Sequence, residues 1–298
     1  VSTPASPEPL VITDALLVTQ DAHRRVVRAD VRVERGRFTH VGPHVPREGA
    51  ASIDGHRFAL VPGFVNTHGH VAMTPLRGIA DDRDLAGFLE TLFAVDAHRT
   101  EADVEVGARA GIAEMLLGGT TSFLDLYYFE DAVARATESL GIRGFLGWAV
   151  LDAEFTTQKG KPLDNAAAFI ARWKGSALVS PLVAPQGVYV CGEATWMGAK
   201  ELARREGTLC HFHLSETRKE VHEHHAKTGD RPADWLEKIG FFGPGMVAAH
   251  AVWLTGHEID VLGRHRLGIA HCASSNLKLA SGGVAPIVEL RAAGAVVG

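Results

Sequence analysis

The stretch VPGFVNTHGHVAMTPLRG, Val61–Gly78, places two histidines one residue apart just past an apolar run. In a β-strand, residues i and i+2 point to the same face. With a buried strand over Leu60–Asn66, His68 and His70 leave its C-terminal end aimed at one point. Two ligands for one metal ion would look like this, and so would an accidental pair.

The rest of the chain narrows the choice. With 298 residues and 46% hydrophobic content it can bury a large core. That length suits an α/β barrel of about 250 residues with an appendage. The formal net charge is −5 and no Arg/Lys-rich arm occurs, so a nucleic-acid partner has no electrostatic support. No apolar run approaches the roughly 20 residues that span a bilayer, so no membrane partner is expected. The opening VSTPASPEPL lacks the basic and apolar regions of a signal peptide. Cys191, Cys210 and Cys272 show no CxxC spacing and cannot all pair, which favours a reducing compartment, the cytoplasm by default.

Residues 1–58 contain short β-rich pieces, LVITDALLVT, VVRADVRVERGRFTHVG and ASIDGHRF, punctuated by Gly and Pro. They predict the N-terminal part of a small antiparallel, β-sandwich-like domain. From residue 59 to 298 the rhythm becomes strand, loop, helix. Strands are expected over Leu60–Asn66, Thr120–Leu126, Ile142–Val150, Leu178–Ala184, Leu209–Leu214, Met246–His250 and Leu267–Cys272. Helices such as Glu101–Leu117, Glu130–Leu140, Ala166–Trp173, Met197–Arg205 and Pro232–Ile239 fall between them. About seven such units predict a (β/α)8 barrel, with AGAVVG (Ala293–Gly298) beginning the eighth strand.

Sixteen histidines is the unusual count. Of three His-x-His pairs, His222/His224 lies in the polar helical stretch ETRKEVHEHHAKTGD. There i and i+2 are about 200° apart and cannot share a metal. His222, His224 and His225 are therefore expected on a solvated helix face. The pairs His68/His70 and His211/His213 sit instead at ends of strands one and five. Glu216 follows His213 by three residues, His250 ends the sixth strand, and His271 lies near the end of the seventh. Any one of these is more often a core or rim histidine than a ligand. Four strand ends carrying histidine at the functional face of a barrel point to a metal centre.

The stretches PGFVNTHGHVAMTPLRGIADD, GGTTSFLDLY, HFHLSET, AAHAVWLT and HCASSNLKLASGG, in this order, resemble the amidohydrolase superfamily. They are most similar to its amino-heterocycle deaminases, near the methylthioadenosine/S-adenosylhomocysteine deaminases. The resemblance implies that His68, His70 and His213 hold one zinc ion, with Fe²⁺ the alternative. It implies that Glu216 moves a proton to the ring nitrogen and that His250 holds the attacking water, while His211 is structural. The implied activity is hydrolytic release of ammonia from an adenine-type nucleoside.

Some positions depart from the family. Its fourth ligand is an aspartate at the end of the eighth strand, expected beyond Gly298, so either a truncated product or a separate complementing segment is expected. Asp96 falls where a glutamate holds ribose hydroxyls, Gln186 where a histidine stands, and Trp148 where an arginine would bind a carboxylate tail. These three are the expected substrate-binding residues. Guanine, a triazine, a pterin or an aminofutalosine-like substrate are the alternatives, as is a non-catalytic remnant. The expected partner is a small molecule, and homo-oligomerisation is left open.

Overall fold

Pro62 and Gly63 separate two kinds of sheet. The computed structural model describes residues 8–156 and 159–298, and its contacts divide the chain into one unit ending at Gly63 and another over Phe64–Gly298. Proline has no N–H to give a strand ladder. The single strand expected over Leu60–Asn66 is accordingly two pieces: Ala59–Leu60 in the small sheet and Phe64–Gly69 in the large one.

In the first unit, β1 (Leu10–Val18), β2 (Val26–Glu34) and β3 (Arg37–Gly42) form an antiparallel meander. β4 (Ala51–Asp54) and β5 (Ala59–Leu60) then pair with β1 in parallel. The unit is thus one mixed five-stranded sheet, in which β4 and β5 depart from the antiparallel pairing expected. The chain crosses over through residues 43–50 before β4, and that crossover makes the pairing parallel. Ala15, Leu17 and Val31 are the buried centre of this sheet.

The second unit begins with β6 (Phe64–Gly69), followed by α1 (Leu85–Asp96) and α2 (Glu101–Leu117). Four strand–helix units come next: β7 (Thr120–Tyr127) with α3 (Glu130–Leu140), β8 (Arg143–Val150) with α4 (Pro162–Trp173), β9 (Val179–Pro185) with α5 (Glu193–Glu206), and β10 (Cys210–Leu214) with α6 (Arg218–Thr228). The chain continues through α7 (Pro232–Lys238), β11 (Met246–His250), α8 (Gly256–Arg264), β12 (Gly268–Ala270), α9 (Ala273–Lys278), α10 (Ile287–Ala293) and β13 (Val296–Val297). β6 to β13 form one eight-stranded sheet in chain order, every described pairing parallel. The sheet curls until its ends approach: a Cβ built on Gly298 would lie 2.8 Å from Thr67 Cγ2. This is the barrel architecture expected from the alternating pattern. Among the described residues no helix is long and apolar enough to cross a membrane.

Helix boundaries follow local chemistry. Thr100 with Asp103, Thr217 with Glu220 and Thr255 with Glu258 each form a reciprocal capping box, opening α2, α6 and α8. Trp196 of α5, Phe212 of β10 and Phe241 pack edge to face, with centroids 4.7–5.5 Å apart. This aromatic cluster backs the strand that carries His211 and His213. On the opposite side, α2 meets the turn after His70 along a glycine seam. A Cβ at Gly107 would lie 2.3 Å from Ala72 O, and one at Gly111 2.5 Å from Thr74 Oγ1. Only glycine at these two positions lets the helix come this close.

The histidines of α6 divide in a way the polar pattern does not show. His222 and His225 are exposed, but His224 is buried, its ring 5.0 Å from that of Trp235 on α7. The expectation of a wholly solvated face fails at His224 because α7 folds back over it.

Candidate metal and acid–base site

Strand alternation delivers the histidines to one mouth. His68 lies within β6 and His70 directly follows it. His211 and His213 share one side of β10, and His250 ends β11, whose register sets Leu214 opposite His250. Side chains of His68, His70, His213, Glu216 and His250, with Gln186 and Tyr189, line one cavity of about 440 Å³. The donor atoms of His68, His213 and His250 all lie within 4.8 Å of one another. His70 joins them through its Nε2, 3.4 Å from His213 Nε2.

Hydrogen bonds decide which ring nitrogen carries a proton. Burial keeps the imidazoles neutral: His68 and His213 lie well below the usual histidine range, and His211 and His250 are pushed down to about 3. His70 Nδ1 donates to Leu126 O at 2.6 Å, and His213 Nδ1 donates to Gln186 O at 2.7 Å. A neutral ring with hydrogen on Nδ1 has a bare lone pair on Nε2. The two Nε2 lone pairs of His70 and His213 therefore face each other, a repulsive arrangement unless a cation lies between them. His250 is different. Asn276 Nδ2 donates to its Nδ1 at 3.0 Å, so its Nε2 bears the hydrogen and points toward the centre as a donor. The set suits a divalent metal ion held by lone-pair imidazoles, with one N–H beside it.

The acid stands next to this centre. Glu216 Oε2 lies 3.5 Å from His250 Nε2, while Oε1 is buried without a protein partner. Burial, with the neighbouring Glu220 charge, pushes the Glu216 carboxyl up to about 8. Burial thus favours the protonated carboxyl, which is able to give up a proton. Its loop is fixed by Glu220, which accepts from the backbone N–H of Ser215, Glu216 and Thr217 at 3.1, 2.8 and 3.5 Å. Ser215 and His250 both adopt left-handed φ, 48° and 73°, where the strands end at the mouth. Behind His70, Asp125 accepts the Val71 N–H at 2.6 Å and anchors the turn.

A second, smaller cavity of about 90 Å³ adjoins the first, with His70 and Gln186 lining both. Asp96 borders it, buried, and accepts from Tyr127 Oη at 2.8 Å on each carboxylate oxygen, with Arg99 Nη1 at 3.4 Å. Trp148 lines neither cavity. It packs in the barrel core beside Tyr127 and Val183 in the strand register, and Ala149, on the other side of the strand, reaches the cavity. Tyr189 and Asn276 were not singled out in the sequence. Neither carries a periodic signal, and Asn276 becomes relevant only through its contact with His250.

A parallel barrel gathering imidazoles and a carboxyl at its strand ends defines a class of site known across hydrolytic enzymes. The model of the amidohydrolase family matches residues 59–298, and the chain belongs to that family. It is 39% identical over 262 residues to a 5'-deoxyadenosine deaminase of Methanothrix thermoacetophila, covering 88% of this chain and 62% of the relative. It is 40% identical to a 5-methylthioadenosine/S-adenosylhomocysteine deaminase of Thermodesulfovibrio yellowstonii, covering 87% and 61%. The chain thus spans about three fifths of the length of these curated relatives. Among solved structures, a zinc-bound adenosine deaminase from Xanthomonas campestris superposes with a TM-score of 0.88 at 30% identity, covering 97% of this chain and 69% of that one.

Proposed function

We propose that this chain carries the metal-binding and proton-transfer part of a zinc-dependent hydrolytic deaminase of an adenine-type nucleoside. The observation that carries the reading is the convergence of His68, His70 and His213 on one cavity beside the Glu216 carboxyl, with the Nε2 lone pairs of His70 and His213 facing each other. Neutral imidazole suits zinc, and three protein ligands leave a position for water. His68, His70 and His213 are the proposed ligands. His250, with its hydrogen on Nε2, is assigned to the water, not to the metal. Zinc bound there would supply the Lewis acidity that brings the pKa of water toward about 7.

The chain's own groups perform the remaining steps. His250 donates to the attacking water and orients its oxygen toward the amino-bearing ring carbon. As the C–O bond forms, Glu216 gives its proton to the adjacent ring nitrogen, so charge does not build up in the ring. The resulting carboxylate takes one proton from the added water and passes it to the amino nitrogen; the C–N bond breaks to release ammonia, and the second water proton returns to Glu216 as the C=O bond forms. Gln186, lining both cavities, is placed to hydrogen-bond a ring nitrogen. Asp96 is proposed to accept from a ribose diol, sharing its oxygens with Tyr127 Oη and Arg99 Nη1. The sequence similarity to two nucleoside deaminases supports this substrate class.

Ammonia release measured from 5'-deoxyadenosine, methylthioadenosine, S-adenosylhomocysteine and guanine, with zinc content determined on the same sample, tests the reading. Turnover of an adenine nucleoside at one zinc per chain is expected. Guanine as the sole substrate, or turnover without bound metal, would overturn it.

A further inference from the structure

The three proposed ligands are not held alike. His70 and His213 each set their tautomer directly on a main-chain carbonyl, Leu126 O and Gln186 O. His68 instead places its Nδ1 2.8 Å from Nε2 of another histidine, His211. His211 has no exposed surface and in turn sets its own Nδ1 2.9 Å from Val247 O on the neighbouring strand.

We infer that His211 is a positioning residue that fixes His68 with its hydrogen on Nδ1 and its lone pair on Nε2, the form a metal ion needs. The direction of the relay follows from one end. A carbonyl oxygen can only accept, so Val247 O requires the hydrogen on His211 Nδ1. A neutral His211 ring then has its lone pair on Nε2, and that atom can only accept from His68. His68 Nδ1 must carry the hydrogen, which leaves His68 Nε2 bare. The tautomer is thus passed inward from the β11 backbone through His211 on β10 to His68 on β6. A hydrogen on His211 Nε2 would set two donors against each other and break the sequence.

A filler of the barrel interior would need only volume at position 211. Leucine matches it roughly in size but offers no acceptor, whereas glutamine retains an acceptor oxygen and an N–H donor. The inference rests on the proposed metal centre, so its test includes a measurement made without metal. Nitrogen-15 histidine spectra of the metal-free full chain report which nitrogen of His68 is protonated. The expected result is Nδ1–H on both His68 and His211. A hydrogen on His68 Nε2 would overturn the relay whatever the metal does.

Zinc affinity, measured by competition with a chromophoric chelator, supplies the second readout. His211→Leu is expected to weaken binding about 10- to 100-fold, the scale of losing a hydrogen bond behind a ligand. His211→Gln is expected to stay within about threefold of the unmodified chain on the same reasoning. Equal affinities in the leucine variant and the unmodified chain, or equal losses in both variants, would overturn the inference. Failure of the unmodified chain to bind zinc while His68 shows Nδ1–H would refute the metal reading and leave the relay standing.

Discussion

Glu216 Oε2 lies 3.5 Å from His250 Nε2, two groups at the ends of neighbouring strands β10 and β11. Burial favours the neutral form of both, raising the Glu216 carboxyl and lowering the His250 imidazole. Paired this way, they can divide the work of moving a proton and holding water. Glu216→Gln keeps size and hydrogen-bonding capacity but removes the transferable proton. Turnover should fall by about 10² or more, the usual scale of general acid–base catalysis, with zinc retained. Steady-state kinetics with metal analysis decides it, and near-normal turnover would mean that another group protonates the ring.

The Glu216 loop depends on Glu220, which accepts three backbone N–H groups from inside the barrel mouth. Glu220→Ala leaves those donors buried without that acceptor and removes the closing half of a capping box. A loss of about 2 kcal/mol in stability is expected, the range for hydrogen bonds to a charged or unsatisfied buried partner. Turnover should fall as well, because Ser215 and Glu216 lose the anchor that sets their direction. Urea unfolding combined with kinetics tests both parts. Unchanged turnover at reduced stability would show that Glu216 is placed by other contacts.

The metal assignment separates inward from outward histidines. Replacing both His68 and His70 with alanine removes two of three proposed lone pairs, so stoichiometric zinc should be lost. His222→Ala with His225→Ala, both on exposed positions of α6, should leave zinc content unaltered. Elemental analysis of the two double variants gives the answer. Stoichiometric zinc in the first would exclude these ligands.

How much of this was legible in the sequence follows from the range over which each signal acts. The barrel and its strand-end histidines are written in local alternation, which is why the sequence places His68, His70, His213 and His250 at strand ends. Trp148 was expected beside the substrate by correspondence with a family position, whereas strand alternation turns it toward the core and Ala149 toward the cavity. The burial of His224 depends on Trp235 from the next helix, and the role of His211 on a partner 143 residues away. The helix over Leu85–Asp96, whose Leu85, Phe88 and Leu89 line the cavity, carries a readable cap in Asp84 but no chemical motif to mark it as part of the site.

Asp125 and Glu130 form a second acidic pair, fully buried behind His70. Burial first, and the Asp125 charge second, push Glu130 well above its usual value of 4.5. Burial also raises Asp125, to about 8, although the Val71 N–H favours its charged form. The folded state therefore binds protons that the unfolded state releases. Stability from this source is complete below pH about 4.5 and declines as pH rises through the folded-state values, by up to about 1.4 kcal/mol per pH unit for each proton. Glu130→Gln cannot release a proton, so it should be near neutral at pH 5 and more stable than the unmodified chain at pH 9. Urea unfolding at the two pH values checks the sign, and a variant whose stability relative to the unmodified chain does not change with pH would place Glu130 outside the titrating set.

Gly107 sets two opposed effects against each other. Alanine in the middle of α2 would gain about 1 kcal/mol of helix propensity over glycine. Its Cβ, however, would lie 2.3 Å from Ala72 O and 3.0 Å from Pro75 Cδ, with backbone, not a flexible side chain, at the closer contact. Relieving such an overlap in a packed interior typically costs about 1–3 kcal/mol, so the clash should win. The strain falls on the turn Val71–Leu76 that directly follows His70 and is already tied down by Asp125 through Val71 N–H. Gly107→Ala should therefore lower stability and also weaken zinc binding by displacing His70. A matched Gly→Ala change at Gly175, where nothing lies within 4 Å of the new Cβ, should leave zinc affinity unchanged. Unfolding midpoints and zinc competition on the two variants separate the contributions, and a Gly107→Ala protein that is more stable with unaltered affinity would show that the α2 seam does not position His70.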